Sequence, residues 1–298
     1  MRWKLLIGLF FFVSFLRGQE IPSLDSLVYW GRQSLESPVF AIRDSSNQKF
    51  LKGLKLYLSA DLNYLDPLTT CTNMLRLESP DERFAIYTWQ RPDEKYRYQQ
   101  FGLIAGNFKG ETKVIELKDQ WDGLGDLDFK TFRPQEWPGA IYYTILPVEG
   151  EKYEYLLLGL NLGETINQKV IEVLSVDKHG KVRFGAKRFK IESFRDQVFR
   201  KPPMRLILKY NAKYSATMRW NEDAEMVIMD HLAPPEPKMK GLYQMYGPDF
   251  SYDGLYWEDD WYHLKVGVDF NTGQKIEIKP PSQPLDLPKR SRPKPDPN

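Results

Sequence analysis

Hydrophobic and polar positions alternate with a period of two through most of the chain, from about residue 82 onward. Short polar turns separate the runs 204–210, 214–220 and 224–230, as in an antiparallel meander. Similar runs occupy residues 83–89, 96–104, 112–117, 141–146, 153–160, 169–176 and 181–190. The pattern therefore predicts a mainly β protein, with antiparallel meanders stacked as a sandwich or as a propeller-like body.

A different pattern precedes the strands and predicts a helical N-terminal segment over residues 20–66. Ser23 can cap a short helix, because apolar residues at helical spacing follow it. Ser37-Pro38 is a second start signal, since a capping hydroxyl precedes a proline at the first helical position. Asp66-Pro67 marks the end of the helical pattern.

The first residues of the chain predict export. Arg2 and Lys4 precede an apolar run over residues 5–16, and small and polar residues follow that run. This order is typical of a secretory signal peptide. The run is also far shorter than the roughly 20 apolar residues that span a membrane. We expect residues 1–19 to be removed and the mature protein to be periplasmic or secreted.

The remaining sequence divides into a β-rich body over residues 67–279 and a tail over residues 280–298. Prolines are dense in the tail and alternate with lysines and arginines. Proline cannot donate to a strand ladder, so we expect the tail to be extended and disordered. No second apolar segment is long enough for a transmembrane helix.

Charge and cysteine content argue against nucleic acid as a partner and against an internal disulfide. The chain has 42 Lys and Arg against 40 Asp and Glu, and removal of residues 1–19 leaves 39 against 40. Nucleic acid is therefore not an expected partner, because the protein lacks the concentrated positive charge that neutralises phosphates. Cys71, the only cysteine, cannot form an internal disulfide, so a hydrophobic core must hold the fold.

Known catalytic and cofactor motifs are missing from the sequence. It contains no Gly-x-Ser-x-Gly elbow, no Ser-x-x-Lys and no glycine-rich phosphate loop. The three histidines lack the close spacing of a zinc site. Asp122, Asp126 and Asp128 cluster around glycines but lack the ligand pattern of a calcium loop. We therefore expect no cofactor and no metal site.

Acidic and aromatic residues concentrate near the C-terminal end of the body. Tyr252, Trp257 and Trp261 could stack on sugar rings, which offer flat apolar faces, or could be core and cross-strand pairs. His231 and Asp249 are interpreted as architectural, since they can satisfy loop amides and carbonyls or pair with each other. Phe250 and Tyr252 can pack back into the sheet. The candidate binding residues are His231, Asp249, Tyr252, Asp253, Trp257 and Trp261.

Three segments occur together in a recognisable combination. They are SPDERFAIYTW at 79–89, DHLAPP at 230–235 and YGPDFSYDG at 246–254. The chain resembles, over about residues 20–270, a family of uncharacterised exported proteins of Gram-negative bacteria. The resemblance implies export, a helical N-terminus and a β-rich body, and it implies no activity.

Three functions remain open at this point. The leading hypothesis is an exported non-catalytic module that binds a glycan or an envelope protein. The alternatives are a hydrolase that uses two carboxylates on glycans and a purely structural envelope protein. Catalysis is the less favoured hypothesis. The sequence does not predict the oligomeric state.

Export gives the first testable prediction. Mass spectrometry of the protein purified from whole cells should show an N-terminus near Gln19 or Glu20, because signal peptidase cuts after the apolar run. A mature pool that retains Met1 would contradict the prediction of export.

Overall fold

The computed structural model describes residues 20–60, 63–95 and 97–268. It is mainly β, with 44% strand against 20% helix, and its antiparallel sheets follow two N-terminal helices. The predicted fold class is therefore confirmed. The predicted signal peptide and the predicted Pro-rich tail lie outside the described residues.

Within the described residues, two α-helices and fifteen strands follow one another. The helices are α1 (Leu24–Glu36) and α2 (Phe40–Ser59). The first eight strands are β1 (Met74–Glu78), β2 (Phe84–Pro92), β3 (Tyr98–Phe108), β4 (Glu111–Lys118), β5 (Ile141–Pro147), β6 (Glu154–Asn161), β7 (Ile166–Val176) and β8 (Val182–Phe184). The others are β9 (Ser193–Phe194), β10 (Gln197–Val198), β11 (Arg205–Asn211), β12 (Met218–Asn221), β13 (Met226–Ala233), β14 (Gly247–Glu258) and β15 (Trp261–Val266).

The strands form three larger antiparallel sheets and one short hairpin. The first sheet has the order β1-β2-β3-β4. The central sheet has the order β11-β7-β6-β5, and β8 also pairs with β7. The last sheet has the order β12-β13-β14-β15, and β9 and β10 form the hairpin. Consecutive strands are neighbours almost throughout, which is the meander that the period-two pattern predicts.

In the described residues, three hydrophobic cores lie between four layers: the helices, the first sheet, the central sheet and the last sheet. One core joins the helices to a face of the first sheet, through residues such as Leu54 and Tyr87. The second joins the opposite face of that sheet to the central sheet, and the third joins the central sheet to the last. Leu157 lies in the second core and Leu158 in the third, because successive side chains point to opposite faces. The central sheet is therefore buried on both faces.

The second helix begins at a different residue from the one that the sequence predicts. Ser23 caps α1 as expected, since its hydroxyl accepts from the Ser26 backbone N–H at 3.3 Å. However, α2 begins at Phe40, and Ser37 and Pro38 belong to the link between the helices. The buried guanidinium of Arg43 donates to the carbonyls of Ser37 at 2.8 Å and Pro38 at 3.2 Å. These hydrogen bonds hold the link outside the helix.

The run at 181–190 also differs, because only its first residues form a strand, β8. Gly185 then takes a φ of +90°. A Cβ at this position would lie 2.5 Å from Nη2 of Arg205. Glycine is therefore required where the backbone turns around this buried guanidinium.

A buried ion pair crosses the central sheet. Nε of Arg205 on β11 donates to Glu172 Oε2 on β7 at 3.0 Å, and both side chains are fully buried. The hydroxyl of Tyr142 donates to Glu172 Oε1 at 2.5 Å. Arg205 also donates to the carbonyls of Lys130 at 2.9 Å and Phe184 at 3.1 Å. Each charged atom therefore has a partner, as a buried ion pair requires.

Removal of one member of this pair should destabilise the protein strongly. Arg205→Met should lower the free energy of unfolding by about 3–5 kcal/mol, because Glu172 is left charged and buried. Adding Glu172→Gln removes that charge and keeps an acceptor for Tyr142, so the double variant should recover part of the loss. Urea unfolding would measure both. A double variant less stable than the single variant would contradict this account.

Candidate functional site

The predicted binding residues all lie on the last sheet. Its strands β13, β14 and β15 carry His231, then Asp249, Tyr252, Asp253 and Trp257, then Trp261. The structure therefore brings these residues onto neighbouring strands, but their side chains have different surroundings.

The three aromatic candidates are divided between the two faces of the last sheet. Trp257 packs against the third core, with its ring 4.7 Å from that of Tyr262 in an edge-on contact. Trp261 pairs in register with Glu258, so it lies on the opposite face. Strand alternation places Tyr252 on this outer face as well. The three rings therefore do not form one continuous surface for stacking.

His231 and Asp253 form a cluster with Arg195, a residue that sequence reasoning missed. His231 Nδ1 lies 2.9 Å from Asp253 Oδ2. Nη1 of Arg195 lies 2.7 Å from the same ring nitrogen and also donates to Asp253 Oδ2. Nη2 of Arg195 donates to the Asp230 carbonyl at 2.6 Å. Arg195 reaches the cluster from the turn between β9 and β10, where its φ is +59°.

The cluster is buried and electrically balanced. The side chains of Arg195 and Asp253 are only 6% and 2% exposed. Burial acts to raise the pKa of Asp253, but the hydrogen bond from His231 and the charge of Arg195 hold it below its ordinary value. Burial lowers the pKa of Arg195, and Asp253 opposes that effect. Because the Asp253 carboxylate is charged and already paired, this geometry favours an architectural role.

Asp249 and Phe250 lie on a β-bulge. Asp230 pairs with Tyr252 and Leu232 with Pro248, so the register shifts between these pairs. Asp249 Oδ1 accepts from the backbone N–H of Ser251 at 3.0 Å, which is the expected capping of turn amides.

The structure decides between the alternatives for His231 and Asp249, and it contradicts the expectation for Phe250. His231 pairs with Asp253 instead of Asp249. Phe250 does not pack back into the sheet, because its φ of +69° on the bulge turns the side chain to solvent, where it is 93% exposed.

A cavity of about 540 Å³ lies elsewhere, beside the turns at one end of the first and central sheets. The β2–β3 turn, the loop after β4 and the β6–β7 turn form its walls. Its lining includes the half-buried rings of Tyr98 and Trp121 and the charged side chains of Asp93, Arg97, Asp119 and Glu164.

Asp119 positions the wall that carries Trp121. Its Oδ1 accepts from the Trp121 backbone N–H and its Oδ2 from that of Gln100, each at 3.0 Å. Gly139 packs against this carboxylate with a φ of +62°, and a Cβ there would lie 2.5 Å from Oδ1. The backbone of Trp121 is therefore held in place at the cavity.

Asp93 fixes the opposite turn in a similar way. Its Oδ1 accepts from the backbone N–H groups of Lys95 at 2.7 Å and Arg97 at 2.9 Å. Its Oδ2 lies 2.8 Å from the Arg97 guanidinium. The hydrogen bonds from Arg97 outweigh the opposing effect of burial and hold the pKa of Asp93 below its ordinary value.

Buried amide atoms in the cavity lining and next to it lack hydrogen-bond partners among the described residues. Oε1 of Gln168, a lining residue, is buried and accepts no hydrogen bond from the described residues. Next to the wall, Gln100 is 1% exposed and neither of its amide atoms is paired within that part of the chain. Oε1 of Gln90, its cross-strand partner, is likewise unpaired there. Buried polar groups are normally satisfied, so unpaired ones call for an explanation such as a ligand.

The sequence carried only a weak signal for this cavity. The aspartates of the 122–128 segment indicated a polar loop after β4, and Gly123 of that loop lines the cavity. Asp128 instead accepts from Nε2 of Gln197 at 2.6 Å. Gln168 and Trp121 had no local pattern that linked them.

Comparison with known proteins gives no match: neither a protein-family model nor a curated protein sequence matches the chain. Function is therefore inferred from side-chain geometry. Within residues 20–60, 63–95 and 97–268, no helix is long and apolar enough to cross a membrane. In the same ranges, no three His, Cys, Asp or Glu side chains come together as metal ligands would.

The stability of two aspartate variants tests the architectural role of the cluster. Asp253→Ala should lower the free energy of unfolding by about 3 kcal/mol, because Arg195 stays buried without its carboxylate. Asp249→Ala is the matched control, and its exposed turn should cost less than about 1 kcal/mol. Urea unfolding at pH 7 would measure both, and equal losses would contradict the prediction.

The effect of Asp253 should also depend on pH. The pKa of Asp253 is lower in the folded protein than the value of about 3.9 expected in the unfolded chain. The Asp253 carboxylate therefore stabilises the fold above that unfolded pKa, and this stabilisation is lost as the pH falls through the folded-state pKa. The difference between the parent and Asp253→Ala should therefore be full at pH 7 and shrink below about pH 4. A constant difference down to pH 2 would exclude this pairing as its cause.

Proposed function

We propose that the protein is an exported, non-catalytic module that binds a glycan of the cell envelope in the cavity beside Trp121. One observation carries the proposal. The cavity of about 540 Å³ combines two aromatic residues with a buried amide oxygen, Gln168 Oε1, that accepts no hydrogen bond from the described residues. Concave sites with a few convergent polar groups are the usual location of small-ligand binding.

The chemistry of a sugar matches this lining. A sugar ring presents flat C–H faces that can stack on Trp121 or Tyr98. Its hydroxyls both donate and accept, so they can pair with the amide oxygen of Gln168 and with the carboxylates. Asp119 holds the backbone of Trp121, so this loop needs little reorganisation when a ligand binds.

The carboxylates support binding over hydrolysis. A glycosidase needs one carboxyl group with a raised pKa as general acid and a second as base or nucleophile. The pKa of Asp93 is lowered. Both oxygens of Asp119 accept backbone N–H groups. Asp253 is buried against Arg195. These carboxylates serve to hold the backbone and the fold.

A protein of the envelope is a second candidate partner, favoured by Phe250. A large aromatic side chain that is 93% exposed at a left-handed backbone position is unusual, and such strain is often found at functional sites. Phe250 lies on the last sheet, whereas the cavity lies between the turns of the other two sheets. The two candidates therefore use different surfaces.

Substitution of Trp121 tests the glycan proposal. The mature protein should bind a subset of oligosaccharides on a glycan array, and titration calorimetry would give the affinity for the strongest. Trp121→Ala should weaken that binding about tenfold or more, since loss of a stacked ring costs about 1.4 kcal/mol. Trp261→Ala, on the outer face of the last sheet, is the matched control and should bind like the parent.

The other outcomes separate the alternatives. Loss of binding in Trp261→Ala but not in Trp121→Ala would move the site to the last sheet. New reducing ends after prolonged incubation would favour the carboxylate hydrolase. Binding to no oligosaccharide would overturn the proposal and leave the envelope-protein and purely structural alternatives.

A further inference from the structure

We infer that the outer face of the two helices binds the surface of a membrane that contains anionic phospholipids. The inner face of the helices packs on the first sheet, and no residue of α1 or α2 lines the cavity. The inference therefore concerns a separate surface and goes beyond the proposed function. Three features of this face support it: two exposed lysines, a pair of adjoining grooves and exposed aromatic side chains.

Lys49 and Lys52 lie away from the buried face of α2. They are exposed and three residues apart, so they are neighbours on the helix surface. The buried face contains residues such as Phe50 and Leu54, which pack on the first sheet. The last turn of α2 contains no basic residue, so neither lysine is placed to offset the negative end of the helix dipole. The dipole therefore does not explain the two lysines.

Two adjoining grooves on this face place apolar side chains beside ammonium groups. One groove, about 340 Å³ in volume, has Leu51 in its lining. The other, of about 290 Å³, has Pro22 and Trp30. Lys52 and Leu56 line both grooves, so they form the ridge between them. Because apolar surface gains free energy when it leaves water, the grooves favour a partner with both apolar and negatively charged parts.

Aromatic side chains lie beside the second groove. A Cβ at Gly53 would lie 2.9 Å from Cζ3 of Trp30, so glycine lets this ring pack closely on α2. Trp30 is half-buried and lines the groove. Its neighbour Tyr29 is 61% exposed, and Ile21, next to the groove residue Pro22, is 51% exposed. Tryptophan and tyrosine are enriched where a membrane meets water, because their rings are both apolar and polar.

The lysines of α2 have few acidic neighbours. Residues 45–60 include Lys49, Lys52 and Lys55 but no Asp or Glu. Lys55 is paired with Glu116 at 2.6 Å, whereas Lys49 and Lys52 form no ion pair with a described residue. Two ammonium groups are therefore available to an anionic partner.

The carboxylates of the helical segment leave this positive charge in place. Asp25 is in the first turn of α1, where it favours the positive end of the helix dipole, and Glu36 is at the other end of that helix. Asp44 is paired with Arg91. Glu20 shares one groove with the two lysines, which leaves one positive charge there.

An anionic bilayer surface matches both the charge and the apolar surface of this face. Its phosphate groups can accept hydrogen bonds from Lys49 and Lys52. Its interfacial region can accommodate the rings of Tyr29 and Trp30. Lysines beside tryptophan and leucine are the composition of helices that lie on a membrane surface. An acidic protein would match the lysines alone.

Binding to vesicles tests the inference. Vesicles of phosphatidylcholine with phosphatidylglycerol should bind the mature protein about tenfold or more tightly than vesicles of phosphatidylcholine alone, because only the former carry net negative charge. Sedimentation with the vesicles would measure the partition coefficient. Binding should weaken as the salt concentration rises, since salt screens the lysines.

Substitution of the lysines locates the charge effect. Lys49→Gln with Lys52→Gln should lower the partition coefficient about thirtyfold, since each lysine near an anionic surface contributes about 1 kcal/mol. Lys178→Gln with Lys181→Gln is the matched control, because it removes two exposed lysines of the same spacing from the β7–β8 turn. The control should bind like the parent, and circular dichroism melts would establish that both variants fold.

A fluorescence measurement tests which surface meets the bilayer. Vesicles with brominated acyl chains quench tryptophan side chains that enter the interface. Trp30→Phe should lose most of the quenching seen with the parent, because Trp30 is the only tryptophan in residues 20–66. Trp261→Phe, on the last sheet, is the matched control and should keep it.

Several outcomes would overturn the inference. Equal binding to the two kinds of vesicle, or an equal loss in the two double variants, would show that these lysines do not recognise anionic lipid. Unchanged quenching in Trp30→Phe would assign the membrane contact to another surface. Release from vesicles by inorganic phosphate at constant ionic strength would indicate a site for single anions. Binding of polyglutamate but not of vesicles would indicate an acidic protein partner. Each of these results leaves the proposed glycan binding untouched.

Discussion

The pair of Arg205 and Glu172 is the interaction on which the other layers depend. The central sheet has no solvent-facing side, so any charge inside it must be fully paired. Arg205 meets this condition by binding Glu172 and three carbonyls, those of Leu127 and Lys130 in the loop after β4 and that of Phe184 on β8. The same guanidinium therefore ties β7, β8, β11 and the loop after β4 into one arrangement. The first and last sheets pack against faces that this pair helps to fix.

A scaffold buried on both faces leaves the ends and edges of its sheets for function. The cavity lies where the β2–β3 and β6–β7 turns project beyond the stack. Asp93 and Asp119 bind backbone N–H groups there, which makes the turns well defined even though they lie outside the cores. The arrangement supplies preformed walls, and preformed sites lose less conformational entropy when a ligand binds.

The two polar regions differ in how the oxygens of Asp253 and Gln168 are paired. Asp253 receives hydrogen bonds from Arg195, His231 and the Gly267 backbone, and its pKa is lowered as a result. In the cavity, Oε1 of Gln168 is buried without a partner among the described residues. A fully hydrogen-bonded carboxylate stabilises a fold, whereas a buried acceptor without a partner costs stability unless something binds it. This contrast supports an architectural role for the first and a binding role for the second.

The sequence by itself determined the local structure, because strand alternation and helix capping depend on neighbouring residues. It predicted the antiparallel meanders and the cap at Ser23, and strand alternation also accounts for Trp257 and Trp261 lying on opposite faces. Only the tertiary structure decided the partners of the polar groups. Arg195 meets Asp253 across 58 positions of the sequence, and Trp121 shares a cavity with Gln168 from another sheet. Such contacts depend on how the sheets stack. A local pattern of polar and apolar residues does not determine which distant segment packs against it.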